Sequence, residues 1–310
     1  MTSPADRAAL PNLVIAGVAK AGTTSLFRYL GQHPDVCPSS VKEARYFTAL
    51  RYDEPLPPLA DYRRLFAGCA EERYRMEATP GYFPGGAVVA QGIDDVLPDC
   101  RVVVSFRDPV ERCWSWYRFV RSTTRIPKEL GFAAYLDRCT ELHDEGVDHL
   151  REHQPYWGLG GGCYDSWIDD WLKVFGGRLR VEFFEELVRR PQEVTAELCR
   201  WLEIDADVCA GFAYHVENRT VQYKNRHLQR LALSLNRGGE RFFARHPGAK
   251  RALRSTYYRV NADTGTDRLD PASRERLAEF YAPHNERLAA SLTAAGRAHL
   301  PAWLSVGSRS

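Results

Sequence analysis

Three groups of residues in this chain have types and spacings suited to anions and protons. The first is the run from Gly17 to Ser25, GVAKAGTTS, in which Gly17 and Gly22 bracket Lys20 and are followed by Thr23, Thr24 and Ser25. A glycine-bounded loop that feeds a helix aims free backbone N–H groups and the positive end of the helix dipole at one spot, so phosphate is the expected occupant. The second is Lys42-Glu43, a carboxylate placed to face back across that spot. The third is Arg107, at the end of an apolar run, with Ser115 eight residues later. Each has a bland account taken alone: a Gly turn, a surface ion pair, a structural strand–helix junction.

The first loop comes close to a nucleotide triphosphatase loop and departs from it. Gly17 and Gly22 satisfy G-x-x-x-x-G, but Thr23 stands where that motif carries Lys, and the lysine lies inside the loop as Lys20. Moving the lysine implies a different leaving group and no required metal.

The elements that must position these residues alternate between strand and helix. Leu13 to Ala16 is a short apolar run of the kind buried on both faces of a parallel sheet. Leu26, Phe27 and Leu30 follow at helical spacing, and Gly31 and Pro34 end that helix. Residues 51–65 read as an irregular loop leading to a short helix, and Arg73 to Ala78 as a strand before the turn ATPGYF. Arg101 to Phe106 is a further strand; Asp108 and Pro109 form an N-cap and N1 pair for a helix with Trp114, Tyr117 and Val120. Arg107 therefore sits at the carboxyl end of a strand, where open α/β sheets bind ligands. Tyr164, Trp167, Ile168, Trp171, Leu172 and Phe175 describe a core helix, stopped by Gly176-Gly177. A strand from Leu179 to Phe184, a helix starting at Pro191, and a last helix from Ser273 to Leu292 interrupted at Pro283 complete the chain. The expected fold is α/β: a P-loop-like three-layer arrangement with a central parallel sheet flanked by helices. It is read as one domain over 1–310, with a core at about 12–204 and a basic covering segment at about 205–310.

The segment GVAKAGTTSL resembles the 5′-phosphosulfate loop of sulfotransferases that use 3′-phosphoadenosine 5′-phosphosulfate (PAPS). The resemblance implies that Lys20 meets the transferred group and that Ala21, Gly22, Thr23, Thr24 and Ser25 cradle phosphate. VVVSFRDPVERCWSWY is similar to the 3′-phosphate motif of the same family, which puts Arg107 and Ser115 on the 3′-phosphate. In the heparan-sulfate type, a Lys-Glu followed by aromatics carries the proposed general base; Lys42 and Glu43 match, and Arg45, Tyr46 and Phe47 match loosely. The related enzymes often carry Glu-Lys-x-Pro where this chain has Glu77-Ala78-Thr79-Pro80, which removes a positive charge from the acceptor side. Tyr164 is placed to reach the adenine, and Lys224 and Arg226 are the late basic residues expected to close the 3′-phosphate site. The implied reaction is sulfuryl transfer to a hydroxyl of a sugar, lipid or small molecule, with PAPS as co-substrate and no metal. The rivals are a P-loop kinase or NTPase and a non-catalytic anion-binding protein.

Composition bounds these readings. At 310 residues, with 44% hydrophobic and 26% charged residues, the chain can bury a full core. Net charge is +2, but residues 215–260 carry eleven Lys or Arg against two Glu, a local +9 that leaves −7 elsewhere. That asymmetry suits an anionic partner; no nucleic-acid reader motif accompanies it. No apolar run reaches the ~20 residues of a membrane span, and the N-terminus lacks a signal-peptide pattern. Eight cysteines without a C-x-x-C pair read as reduced, mostly buried thiols, and the expected compartment is the cytoplasm. His149 and His153 are four apart, but H-L-R-E-H lacks the zinc order and a third ligand, so both read as exposed. WGLGGG at 157–162 reads as a flexible lid or hinge. The acceptor and the oligomeric state are not specified by the sequence.

Overall fold

The computed structural model describes residues 9–215, 222–223, 262–263 and 268–304. The chain divides into two compact units, one made of Met1–Pro109, Cys163–Asn218 and Phe280–Ser310, the other of Val110–Gly162 and Arg219–Glu279.

The first unit is built on a five-stranded parallel sheet. Its strands are β1 (Leu13–Gly17), β2 (Val36–Pro38), β3 (Tyr74–Ala78), β4 (Arg101–Phe106) and β5 (Leu179–Phe183), in the order β2-β3-β1-β4-β5. β1 lies at the centre, with Ile15 beside Ala78 of β3 and Val103 of β4. All five of its residues are buried, as an apolar run without polar alternation requires. Side-chain alternation splits the core. Val14, Ala16, Val102, Val104 and Phe106 pack to one side with Phe83, Ile168 and Trp171. Leu13, Ile15, Met76, Ala78 and Val103 pack to the other with Leu26, Leu30 and Leu198.

Helices α1 (Thr23–Leu30), α2 (Leu59–Arg64), α3 (Gly86–Val96), α6 (Asp165–Phe175), α7 (Phe184–Arg189) and α8 (Pro191–Trp201) cover this sheet. The expected strand from Leu179 to Phe184 ends at Phe183, and Phe184 opens α7. Trp171 of α6 donates its indole N–H to the Phe83 carbonyl (2.9 Å), which locks the helix to the loop after β3. Cys37 and Cys69 form a disulfide, which corrects the expectation of fully reduced thiols. Thirty-two residues separate them in sequence, so spacing did not announce the pair. The other six cysteines are buried.

The second unit holds most of α4 (Pro109–Ser122), α5 (Phe132–Asp144) and the antiparallel pair β6 (Gln222–Tyr223) and β7 (Ala262–Asp263). Its glycine run is not a loose lid. Gly160 to Gly162 form a buried 3-10 turn, and a Cβ on Gly158 would lie 2.6 Å from the Tyr135 hydroxyl. A Cβ on Gly161 would lie 3.0 Å from the Arg112 guanidinium, so these glycines serve close packing. The last helix, α9 (Pro271–Ala294), runs unbroken through Pro283, which corrects the expected interruption. His153 bonds the Val147 carbonyl within the second unit (3.0 Å), and among the described residues no cluster of three or more His, Cys, Asp or Glu is arranged to hold a metal. No described helix is long and apolar enough to cross a membrane.

Candidate active site

The carboxyl ends of β3, β1 and β4 lie side by side: the Gly17–Gly22 loop follows β1, Arg107 follows β4, and the Lys42–Glu43 segment, which follows β2, is bonded to the end of β3. From β1 the chain enters the Gly17–Gly22 loop, which β4 pins along its length. The Val18 N–H donates to the Ser105 carbonyl (2.9 Å), the Ser105 hydroxyl to the Ala21 carbonyl (2.7 Å), and Arg107 Nη1 to the Lys20 carbonyl (3.2 Å). The Lys20 and Ala21 carbonyls are thereby taken by Arg107 and Ser105, while the Val18 N–H is spent on Ser105 and the Ala21 N–H on the Val18 carbonyl (3.2 Å).

Two glycines make this loop possible. At Gly17 a Cβ would meet Phe83 at 2.6 Å. At Gly22, φ is +83° and a Cβ would lie 2.9 Å from both Leu187 and Phe184. Gly22 also caps α1 without a side chain, and the first turn of α1 holds no acidic residue. The leading N–H groups of α1, at Thr23, Thr24 and Ser25, thus face outward uncompensated by any local carboxylate. This is the arrangement that a phosphate fits.

Lys20 takes φ +76° and Glu43 φ +67°, in the left-handed region where a side chain is disfavoured. Such conformations persist where surrounding contacts impose them and cluster at functional sites. The two residues expected to do the chemistry are among the few described non-glycine residues that adopt them.

Glu43 is held by the strand beside the loop. Its N–H donates to the Ala78 carbonyl (3.0 Å), the Arg45 N–H to Thr79 Oγ1 (3.1 Å) and the Phe47 N–H to the Tyr82 hydroxyl (3.3 Å). Alternate amides of the 43–47 segment are therefore stitched onto the ATPGY turn. The Glu43 carboxylate lies 2.9 Å from Arg45 Nη2 and 3.5 Å from Lys42 Nζ. Lys42 is mostly covered, and burial lowers its pKa although Glu43 pulls the other way.

Arg107 follows β4, with its guanidinium over the Phe184 ring at 4.5 Å. Tyr164 holds it from below: the hydroxyl donates to the Arg107 carbonyl (2.9 Å) and the ring stacks on Phe106 at 4.6 Å. Tyr164 is 1% exposed, so its place in the structure is behind Arg107 and not in an open adenine pocket. The start of α6 is fixed in turn by Asp165, which pairs with His284 (2.8 Å) and Arg287 (2.7 Å). Ser115 is on α4, partly buried, in the second unit. Lys224 and Arg226 lie outside the described residues.

Sequence reasoning missed Ser105, Phe184 and Glu185. Glu185 accepts the Asp108 N–H (3.0 Å) and so caps the entry to α4. For Ser105 a signal existed, a single hydroxyl within the apolar run RVVVSF; for Phe184 and Glu185 there was none. A groove of about 860 Å³ between α6 and α9 is lined by Asp169, Lys173, Gly177 and Ala290. It also touches Leu179, at the amino end of β5. The groove therefore opens at the sheet end opposite to the loop, away from these residues.

A central parallel sheet with a glycine-bounded anion loop after its middle strand defines the P-loop-like α/β class. The chain belongs to the sulfotransferase domain family, which matches residues 10–229. Human heparan sulfate glucosamine 3-O-sulfotransferase 3B1 is 37% identical over 166 residues, covering 54% of this chain and 39% of that protein. The bifunctional heparan sulfate N-deacetylase/N-sulfotransferase of Drosophila melanogaster is 23% identical over 319 residues, covering 95% of this chain and 27% of that protein. This chain spans less than half the length of the curated relatives it matches. Among solved structures, a sulfotransferase from Alicyclobacillus acidocaldarius superposes with a TM-score of 0.65 at 26% identity, covering 94% of this chain and 98% of that one.

Proposed function

We propose that this chain transfers a sulfuryl group from PAPS to an acceptor hydroxyl. The observation that carries this reading is the meeting, at one sheet end, of a loop shaped for an anion, an arginine clasping that loop, and a carboxylate stitched to the adjacent strand. PAPS supplies an activated sulfuryl group on a good phosphate leaving group. The loop amides from Gly22 to Ser25 hold its 5′ side, and Arg107 with Ser115 hold the 3′-phosphate. Lys20 neutralises the charge that grows on the leaving oxygen. Glu43 accepts the proton of the acceptor hydroxyl as that oxygen becomes nucleophilic. Such chemistry asks the protein for alignment and a preorganised positive field, which a pinned loop with Lys20 and Arg107 provides.

The relatives named for heparan sulfate make a glycan hydroxyl the first acceptor to test, although Ala78 stands where the resemblance leads one to expect a lysine. Incubation with ³⁵S-labelled PAPS and a panel of partly desulfated heparan oligosaccharide, a neutral glycan, a glycolipid and a phenol should label one class. Absence of transfer to every class, with ATP consumed instead, would return the kinase reading. For the compartment, Cys37–Cys69 weighs toward an oxidising environment and against the expected cytoplasm. Thiol titration of the denatured, unreduced protein should find six thiols and not eight.

A further inference from the structure

The peptide unit that joins Arg107 to Asp108 is held at both of its polar ends. Its carbonyl accepts the Tyr164 O–H at 2.9 Å, and its N–H donates to Glu185 Oε1 at 3.0 Å. The other carboxylate oxygen, Glu185 Oε2, accepts the indole N–H of Trp303 at 3.4 Å. Trp303 meets the rings of Tyr164 and Phe183 at steep angles, with centroids 6.4 and 6.1 Å away. The contacts close a circuit, from Tyr164 through the 107–108 peptide, Glu185 and Trp303 back to Tyr164, and every member belongs to the first unit. Trp303 is brought there by the stretch that follows α9, which is fastened on both sides of it. Arg297 pairs with Glu182 (3.8 Å) and lies over the Phe183 ring of β5 (5.6 Å). The Leu304 N–H closes a turn onto the Pro301 carbonyl (2.9 Å), and the Leu304 side chain is buried in the core.

We propose that Glu185 and Trp303 are positioning residues for Arg107: the Trp303 indole N–H orients the Glu185 carboxylate, which together with the Tyr164 hydroxyl fixes the 107–108 peptide and so the direction in which the Arg107 side chain leaves β4. This rests on the sulfotransferase reading, in which Arg107 holds the 3′-phosphate. The terminal rotation of a glutamate is broad and weakly restrained, so one bond to the Asp108 N–H leaves its plane loose. A second donor on the other oxygen removes that freedom. The Arg107 head is seated separately, over Phe184 at 4.5 Å and on the Lys20 carbonyl at 3.2 Å. A long side chain is aimed only when both its head and its base are held, and the circuit holds the base.

The rival account is that Trp303 only packs. Packing alone would make its loss show as lower stability and as an equal loss for any nucleotide. A residue that aims Arg107 acts on the one phosphate that Arg107 meets, so its loss falls on nucleotides that carry a 3′-phosphate.

Trp303→Phe separates the two, because it removes the N–H, keeps an aromatic ring beside Tyr164 and Phe183 and changes no charge. Calorimetric titration with 3′-phosphoadenosine 5′-phosphate and with adenosine 5′-phosphate isolates the 3′-phosphate, the one group by which they differ. Wild type should prefer the first, and Trp303→Phe should cut that preference about 5-fold, the scale of one hydrogen bond, with affinity for adenosine 5′-phosphate kept within about 2-fold. In a Glu185→Gln background, whose side chain has one acceptor oxygen for two N–H donors, the same change should alter the preference less than about 2-fold. A full loss in that background, or equal losses for both nucleotides, overturns the proposal. A second measurement needs no variant enzyme to fold: by reciprocity, the 3′-phosphate must act on the bond that acts on it. The Trp303 indole ¹⁵N–¹H signal of wild type should therefore shift with 3′-phosphoadenosine 5′-phosphate and not with adenosine 5′-phosphate, and a signal that both move alike contradicts the proposal. Equal affinity of wild type for the two nucleotides overturns the sulfotransferase reading and the proposal together. A wild-type preference that Trp303→Phe keeps in full overturns the proposal alone.

Discussion

The nucleotide side and the acceptor side of the site are built on different physical principles. The Gly17–Ser25 loop is shaped by backbone: two glycines where a Cβ has no room, carbonyls bonded to Ser105 and Arg107, and helix N–H groups left for the ligand. The Lys42–Phe47 segment also hangs on backbone bonds, to the turn after β3, but its working part is a set of paired side-chain charges, Lys42 and Arg45 on Glu43. A loop of amides binds its anion at any ordinary pH. The acceptor side depends on how side-chain charges are placed, so it is where sequence changes should alter turnover without altering nucleotide binding.

The largest expected effects divide the two sides. Lys20→Gly should lower kcat by about 10³-fold, the scale for removing a preorganised charge at a developing anion. Because Lys20 sits at φ +76°, glycine relieves strain there, and a thermal melt should show the variant unfolding no earlier than wild type. Lower stability together with lower activity would mean that Lys20 holds the loop and not the leaving group. Glu43→Gln should lower kcat by about 10²- to 10⁴-fold while product-nucleotide affinity, read by calorimetry, stays within about 2-fold. A matching loss of affinity would merge the two sides that the structure keeps apart.

A smaller effect tests the shape of the loop. Gly22→Ala combines a left-handed residue with contacts of 2.9 Å to Leu187 and Phe184, and should lower stability by about 2–4 kcal/mol in denaturant unfolding. The smallest concerns the support behind Arg107. Tyr164→Phe leaves the Arg107 carbonyl without its donor and should cost about 1 kcal/mol in nucleotide binding and stability together. An unchanged titration would mean that the stack on Phe106 alone positions the arginine.

How much of this was legible in the chain follows the same division. β1, β4 and the helix after the loop could be placed to within a residue or two because apolar runs, glycine and the Asp-Pro cap are local signals. The nucleotide residues were legible because glycine spacing is a backbone constraint written in sequence. Ser105 was overlooked because one hydroxyl in RVVVSF looks like tolerance and not like a pin. Trp303 was passed over as part of a terminal stretch, since nothing local says that its indole meets Glu185. The Cys37–Cys69 bond and the unbroken α9 share that cause: each depends on partners distant in sequence, or on packing that carries a helix through Pro283. Tyr164 was placed at the start of the correct helix, which it caps, but its role depended on which way its hydroxyl pointed.

The most direct measurement is calorimetric titration with 3′-phosphoadenosine 5′-phosphate, the product nucleotide, beside ATP and ADP, without added metal, on wild type and Arg107→Ala. The account predicts tight binding of the product nucleotide alone and a loss of about 10- to 100-fold in the variant, the scale of a lost charge-assisted contact. Equal or tighter binding of ATP, or an Arg107→Ala variant that binds the product nucleotide as wild type does, would contradict it.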